Sequence, residues 1–408
     1  MKHNLKSNKI LLSLIVALCV ITSGSVYGKG TQLIEEIDSG IMFYNPSIVI
    51  DNNDEPNICY DEGFGNLVFA VQKESGWDKT VVDNLGGKTF RATLDVDNDR
   101  NPHISYTVED IGLKYAERRG TDWTISIIEH GSLVFPSLAI DSKGFSHISY
   151  IDWANSSLKY SSWTGSSWQI ETVETFDNDT NIWYNRIEID SEDNPHIVYS
   201  YKVGGPDGDG EIRYANRNNN DWIIETVASS GEIDPSSFCL DSNNRPSIAL
   251  WHGYMKYAFK SHENWEIESV PSVISNNPID SLAINSKGEP VLCYFDSDNE
   301  TIKSATRTGD GWQITEIYKS HDSPLGTYIT LYHILDSEDN HHFLIENMMY
   351  LNLYYLYSAS SIDSSFSTLK LAVATIIVIS VTSAVIIHHY KKRKTVDKSP
   401  TDQEEQHP

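Results

Sequence analysis

The sequence predicts an all-β fold, a seven-bladed β-propeller closed by its own N-terminal strand, followed by one C-terminal transmembrane helix. Three observations predict the ring. A unit of 44 to 51 residues recurs, marked by Asp51, Asp97, Asp141, Asp190, Asp241, Asn285 and Asp336, and a β-rich repeat of that length is one radial sheet. Each full unit holds four short runs of alternating apolar and polar residues between turn formers, as in residues 136–173, which is a four-stranded antiparallel meander. The seventh unit lacks the fourth run, whereas Ile34-Glu35-Glu36-Ile37 matches Ile170-Glu171-Thr172-Val173 and has no first three runs before it. The leading strand therefore completes the last sheet, removing the exposed ends that an open array must cap. Six blades plus a separate cap is the weaker alternative, because Asp336 keeps the repeat spacing.

Along the chain, residues 1–28 read as a secretory signal. Lys2, Lys6 and Lys9 precede the apolar run 10–21, and small residues lead to Gly28. Residues 29–358 form the propeller ectodomain and 359–368 a Ser-rich stalk. The span is placed at 369–389: residues 371–387 carry no charge, enough to cross ~30 Å of hydrocarbon at ~1.5 Å per residue. Lys391, Lys392, Arg393 and Lys394 follow at once and hold the tail, 390–408, in the cytoplasm. The expected topology is a single-pass cell-membrane protein with its N-terminus outside.

Within the repeat, each column has a structural reading. The marker Asp, followed by Ser-Lys-Gly, Ser-Glu-Asp-Asn or Asn-Asn-Asp, accepts backbone hydrogen bonds in the hairpin between first and second strands. A calcium loop at Asp95, Asp97 and Asp99 is disfavoured, since Arg100 stands where Gly is needed and Tyr106 where an acid is needed. His103, His147, His196 and His342 form a column six residues past the marker, read as hydrogen bonding between blades rather than as a metal cluster on the axis. Tyr60, Tyr106, Tyr150, Tyr199 and Tyr294, with Trp77, Trp123, Trp168, Trp222, Trp265 and Trp312, read as packing between blades. Cys59 and Cys293 share a strand position also held by Ser105, Ser149 and Ala249, so they read as small buried residues; with Cys239 they make an odd number that cannot all pair internally. No metal site and no cofactor are expected.

The unit PS-[aliphatic]-x-[aliphatic]-D-S-x-x-x-P-H-I-S-Y, followed by LKYA, resembles the seven-bladed propeller repeats of surface proteins in archaea and bacteria. The turns Thr164-Gly165-Ser166-Ser167-Trp168 and Thr308-Gly309-Asp310-Gly311-Trp312 resemble degenerate sialidase-type Asp-boxes. The resemblance covers residues 32–358 and implies fold more than activity. A sialidase-like site would need an arginine cluster; Arg91 and Arg186 lie near first strands, but no third Arg matches them.

Net charge is −26, with 57 Asp and Glu against 31 Lys and Arg. Such a surface repels phosphate backbones, so nucleic acid is excluded as a partner. Function is expected on the face that carries the second-to-third-strand and blade-to-blade loops. Asp152, Trp153, Trp183, Tyr184, His252 and Asp296 are the candidate ligand-binding residues there, since aromatics beside carboxylates suit sugar rings or a protein partner. Asn155, Asn178 and Asn299 fit the N-glycosylation triplet in loops. The sequence thus points to a membrane-anchored ligand-recognition or adhesion module for a glycan or protein. A surface glycan-active hydrolase or lyase of sialidase-like propeller type is the alternative.

Overall fold

The computed structural model describes residues 32–360, except 40–42, 64, 74–75, 87–88, 178–179, 205–207, 219–220, 230–233, 252–253, 262–263, 272–280, 320–328 and 348–349. The expected signal, the span, the tail and nearly all of the stalk lie outside the described residues. No helix among the described residues is long and apolar enough to cross a membrane.

The described chain forms seven four-stranded antiparallel sheets. Blades 1 to 6 take residues 43–84, 89–130, 133–175, 180–229, 234–269 and 282–319, each as a meander. Blade 7 joins Ile329–Leu335, His341–Asn347 and Asn352–Ser358 to the N-terminal strand Gln32–Ser39. Ile34 lies opposite Leu356 and Glu35 opposite Tyr355, with a bulge between Glu36 and Asp38. This is the closure expected from the missing fourth run, and it rules out the six-bladed alternative. The first strand of each blade packs against that of the next, and that of blade 7 packs against that of blade 1.

The marker column makes the same turn in every blade. Asp51 Oδ1 accepts the N–H groups of Asn53 and Glu55 at 2.9 and 3.0 Å, and Asn285 Oδ1 those of Lys287 and Glu289 at 3.1 and 2.8 Å. The residue three past each marker is left-handed: Gly144 and Gly288 at φ 79° and 75°, and Asp54, Arg100, Asp193, Asn244 and Asp339 between 59° and 65°. Adjacent turns also meet. Ser142 donates to Asp193, Ser286 to Asp339 and, across the closure, Ser337 to Asp54.

Second strands are almost wholly buried, third strands are buried over their first half, and fourth strands lie mostly toward solvent. The Trp column packs edge-on against the third strand of the preceding blade. Tyr115–Trp168, Tyr160–Trp222, Tyr214–Trp265 and Tyr257–Trp312 have centroids 5.0 to 5.6 Å apart, and Tyr355–Trp77 repeats the contact across the closure at 5.2 Å. Such pairs add about 0.5–1.5 kcal/mol beyond their buried area. A carboxylate near the end of each of several fourth strands reaches the next blade. Asp83 accepts from Tyr106 and Lys114, Glu129 from Tyr150 and Lys159, and Glu174 from Tyr199 and Arg213. In the N-terminal strand Asp38 does the same with Tyr60 and Lys79, at 2.8 and 2.9 Å.

The His column requires a correction, because its bonds run within blades and not between them. Nδ1 of His103, His147, His196 and His342 meets the hydroxyl of Tyr115, Tyr160, Tyr214 and Tyr355 respectively. Nε2 of the last three meets the blade's own marker, Asp141, Asp190 or Asp336, at 3.4, 3.2 and 3.0 Å. The hairpin folds the His back beside its marker, and the antiparallel third strand brings the Tyr alongside it. Burial holds all four imidazoles below their ordinary pKa, against the opposing pull of the carboxylates.

Candidate functional site

The structure disperses the loop-face candidates. Asp152 is buried and serves its own turn, accepting from Asn155 Nδ2 at 2.8 Å; Asp296 accepts from Asn299 Nδ2 at 2.8 Å and also holds Lys303. Both are turn residues, three blades apart. Trp153 is 44 % exposed and rests edge-on against Phe135 at 6.0 Å. The side chain of Trp183, the whole of His252, and Asn178 lie outside the described residues. Asn155 and Asn299 are exposed in the two turns just named. Tyr184 is not on a loop: it belongs to the first strand of blade 4, Thr180–Ile189.

Tyr184 leads instead to the centre of the ring. A cavity of about 370 Å³ is lined by the first strands of all seven blades, a size within the ~300–1,000 Å³ usual for ligand sites. Four residues before each marker, most blades place a small hydroxyl: Ser47, Thr93, Ser137, Ser237 and Ser281. These serve the scaffold. The hydroxyls of Ser47, Ser137 and Ser237 accept the N–H groups of Leu94, Ile187 and Leu282 on the next blade, each at 3.2 Å. Two blades depart from this column, with Arg186 in blade 4 and Tyr332 in blade 7. Arg91 and Tyr184 stand six residues before their markers.

These four side chains share one electrostatic neighbourhood. Burial first, and then the charge of Arg91, lower Arg186 to about 10, with Tyr184 and Tyr332 opposing both. Burial also lowers Arg91, again against the pull of Tyr184 and Tyr332. Burial raises the phenols of Tyr184 and Tyr332, with the two guanidiniums opposing, so both are neutral donors near pH 7. The Arg186 guanidinium carbon lies 5.9 Å from the Tyr184 ring centroid, and the buried Tyr184 hydroxyl has no well-formed hydrogen-bond partner among the described residues. Further along the same strands, burial and then Asp95 raise Glu188 to about 8, and burial raises Asp95 to about 6. Glu188 is therefore largely uncharged at neutral pH. The result is a cationic spot inside a strongly acidic protein. Two guanidiniums beside phenolic donors suit a carboxylate or sulfate, for which planar bidentate donors are matched in shape and charge.

Sequence reasoning noticed Arg91 and Arg186 and set them aside for want of a third Arg. It missed Tyr332 and Glu188, and weighed Asp95 only as a calcium ligand. The available signal was departure from the repeat, since Arg186 and Tyr332 stand where other blades place a small hydroxyl.

A second cluster lies at the seam of blades 6 and 7, where Cys293, His333 and His341 converge, all buried. Burial pushes His341 down to about 4 and His333 well below the usual imidazole range, so both are neutral. Cys59, Cys239 and Cys293 are all free thiols.

No family model matches the sequence, and no curated protein matches it. Solved structures do share the fold. A polysaccharide lyase described as a PL25 ulvan lyase, bound to a glucuronic acid–rhamnose 3-sulfate repeat, superposes with a TM-score of 0.59 at 12 % identity, over 79 % of this chain and 95 % of that one. The polysaccharide lyase Uly1 gives 0.56 at 8 % identity, over 82 % and 92 %. A six-bladed lectin of Aleuria aurantia with a described fucose recognition mode gives 0.46 at 12 %, over 70 % and 99 %. At such identities the likeness to the lyases establishes the propeller fold.

Proposed function

We propose that this protein is a glycan-recognising propeller displayed on the outer cell surface, and that its central cavity takes an acidic sugar. The observation that carries this reading is that Arg91 and Arg186, from different blades, both line the central cavity with Tyr332 and share one electrostatic neighbourhood with Tyr184 and Tyr332. Two planar guanidiniums close together match a carboxylate or sulfate in both shape and charge. The leader-like residues 1–28 and the apolar run 371–387 support display on a single-span anchor.

Elimination by a surface lyase is the second reading, favoured by the two lyases that share the fold. It would require a base to take the proton α to a uronate carboxylate. Burial keeps Tyr184 and Tyr332 protonated, which makes them donors rather than bases and favours binding.

Purified full-length protein tested against uronate-bearing, sulfated and neutral oligosaccharides decides the matter. Binding to acidic sugars is expected, weakening with salt. Arg91→Ala or Arg186→Ala should cost about tenfold or more in affinity. Equal binding of neutral and acidic sugars, or indifference to both substitutions, would sink the reading. Appearance of an unsaturated, ultraviolet-absorbing product, lost in Tyr184→Phe or Tyr332→Phe, would turn it into the lyase.

A further inference from the structure

We propose that Cys293, His333 and His341 bind a divalent transition metal of the zinc class at the seam between blades 6 and 7. Cys293 comes from the second strand of blade 6, Pro290–Asp296, and the imidazoles from the first two strands of blade 7, Ile329–Leu335 and His341–Asn347. Their ligand atoms all lie within 4.8 Å of one another. His333 Nε2 is 3.0 Å from His341 Nδ1, and Cys293 Sγ is 3.8 Å from that same nitrogen. Tetrahedral zinc with bonds of about 2.05 Å to nitrogen and 2.3 Å to sulfur has N–N edges of about 3.3 Å and S–N edges of about 3.6 Å. The two measured edges already sit close to those lengths.

Two further features fit a ligand set. His333 Nδ1 faces the carbonyl oxygen of Ser281 at 3.3 Å, and Cys293 N–H donates to the same oxygen at 3.2 Å. An Nδ1–H bond to a carbonyl leaves Nε2 with its lone pair aimed at the cluster, the usual outer support of a metal-bound imidazole. His333 also borders the central cavity, which gives an ion a way in.

The repeat supplies its own controls. Three residues before the marker, the other six blades have Ile48, Leu94, Leu138, Ile187, Phe238 and Leu282, and only blade 7 has a His. Five residues past the marker, five blades have Pro and one has Ser146, where blade 7 has His341. A scaffold that needs only an apolar side chain and a Pro at these places has a His at both, and both meet a Cys of the neighbouring blade. On binding, the Cys293 thiol releases its proton to solvent as the metal–sulfur bond forms, with no change of oxidation state.

The test uses full-length protein stripped by a chelator and reloaded with zinc, read by elemental mass spectrometry, with cobalt as a spectroscopic substitute. Each ligand is replaced by a residue from an equivalent blade position, which the fold already tolerates: Cys293→Ser, His333→Leu and His341→Pro. One zinc per chain is expected in the parent, with a thiolate-to-cobalt charge-transfer band. Each variant should weaken zinc by at least about tenfold, and Cys293→Ser should lose the thiolate band while melting as a folded protein. Absence of bound zinc in the reloaded parent would overturn the proposal and leave a histidine–histidine hydrogen bond. Undiminished zinc in the three variants would overturn it too, by placing the metal elsewhere.

Discussion

Arg100 shows how a repeat constrains a single residue. It sits at φ 64° in the turn where blades 3 and 6 have Gly144 and Gly288, and a left-handed L-residue other than Asn or Asp carries strain of about 1 kcal/mol. Its only described ion pair is with Glu55 at 3.9 Å, both side chains about half exposed, which adds little. Arg100→Gly should therefore stabilise the protein by about 0.5–1 kcal/mol, measurable as a raised denaturation midpoint with unchanged slope. Glu188 makes the opposite point about charge. Its folded pKa is raised to about 8 by burial and by Asp95, so its contribution is complete below the unfolded value near 4.5 and is lost as pH rises through 8. Glu188→Gln should cancel that loss. The variant should melt higher than the parent at pH 8–9, by on the order of a few kcal/mol, with the gap closing toward pH 5. An unchanged gap across that range would place the carboxyl in water.

At the scale of the element, the N-terminal strand does the work of a fourth strand in a blade that lacks one. Ile37 is buried, Glu35 accepts from Gln72 and Trp77 of blade 1 at 3.0 Å each, and Asp38 holds Tyr60 and Lys79. Removing residues 32–39 exposes the edge of Asn352–Ser358 and opens the seam with blade 1. Such a truncation should aggregate or melt far below the parent, and a peptide spanning those residues should restore the melting temperature by adding its strand in trans. This element was legible in the sequence because Ile34-Glu35-Glu36-Ile37 repeats the local pattern of a fourth strand, and strand pattern is local. The marker turns and the Trp and Tyr packing were legible for the same reason. The His bonding was not, because a column gives spacing along the chain and not which neighbour a ring nitrogen faces. The cavity site was legible only in fragments. Arg91, Arg186, Tyr184 and Tyr332 come from three blades, and their convergence exists only once seven first strands surround one axis. That Asp152 and Asp296 each close their own turn was not legible, because a carboxylate that does so reads the same in sequence as one that waits for a ligand.

For the whole molecule, the ring ties the blades together through groups that are sensitive to acid. Edge-on Tyr–Trp pairs run from blade to blade, and in four blades the Tyr or its equivalent is held from below by His103, His147, His196 or His342. All four imidazoles have folded pKa values below the ordinary 6.5, with burial the first cause. Their stabilising contribution is therefore present above the unfolded value and is lost as pH falls from about 6.5 through the lowered folded values. Because each blade packs on two others and the ring has no free end, protonation in one blade weakens a structure that the rest share. The protein should melt in one main transition whose temperature drops steadily between pH 7 and pH 5. Blade 1 carries Asn57 in this column, so His147→Asn, His196→Asn and His342→Asn keep a residue type that the repeat accepts without bringing a titrating group. Combined, they should flatten the acid limb of the melting curve while lowering the neutral-pH maximum by the lost Tyr and Asp hydrogen bonds, about 1 kcal/mol each. Calorimetry across that pH range measures both effects. An acid limb as steep in the triple variant as in the parent would move the acid sensitivity away from these three imidazoles, to buried His333 and His341 or to the carboxylates.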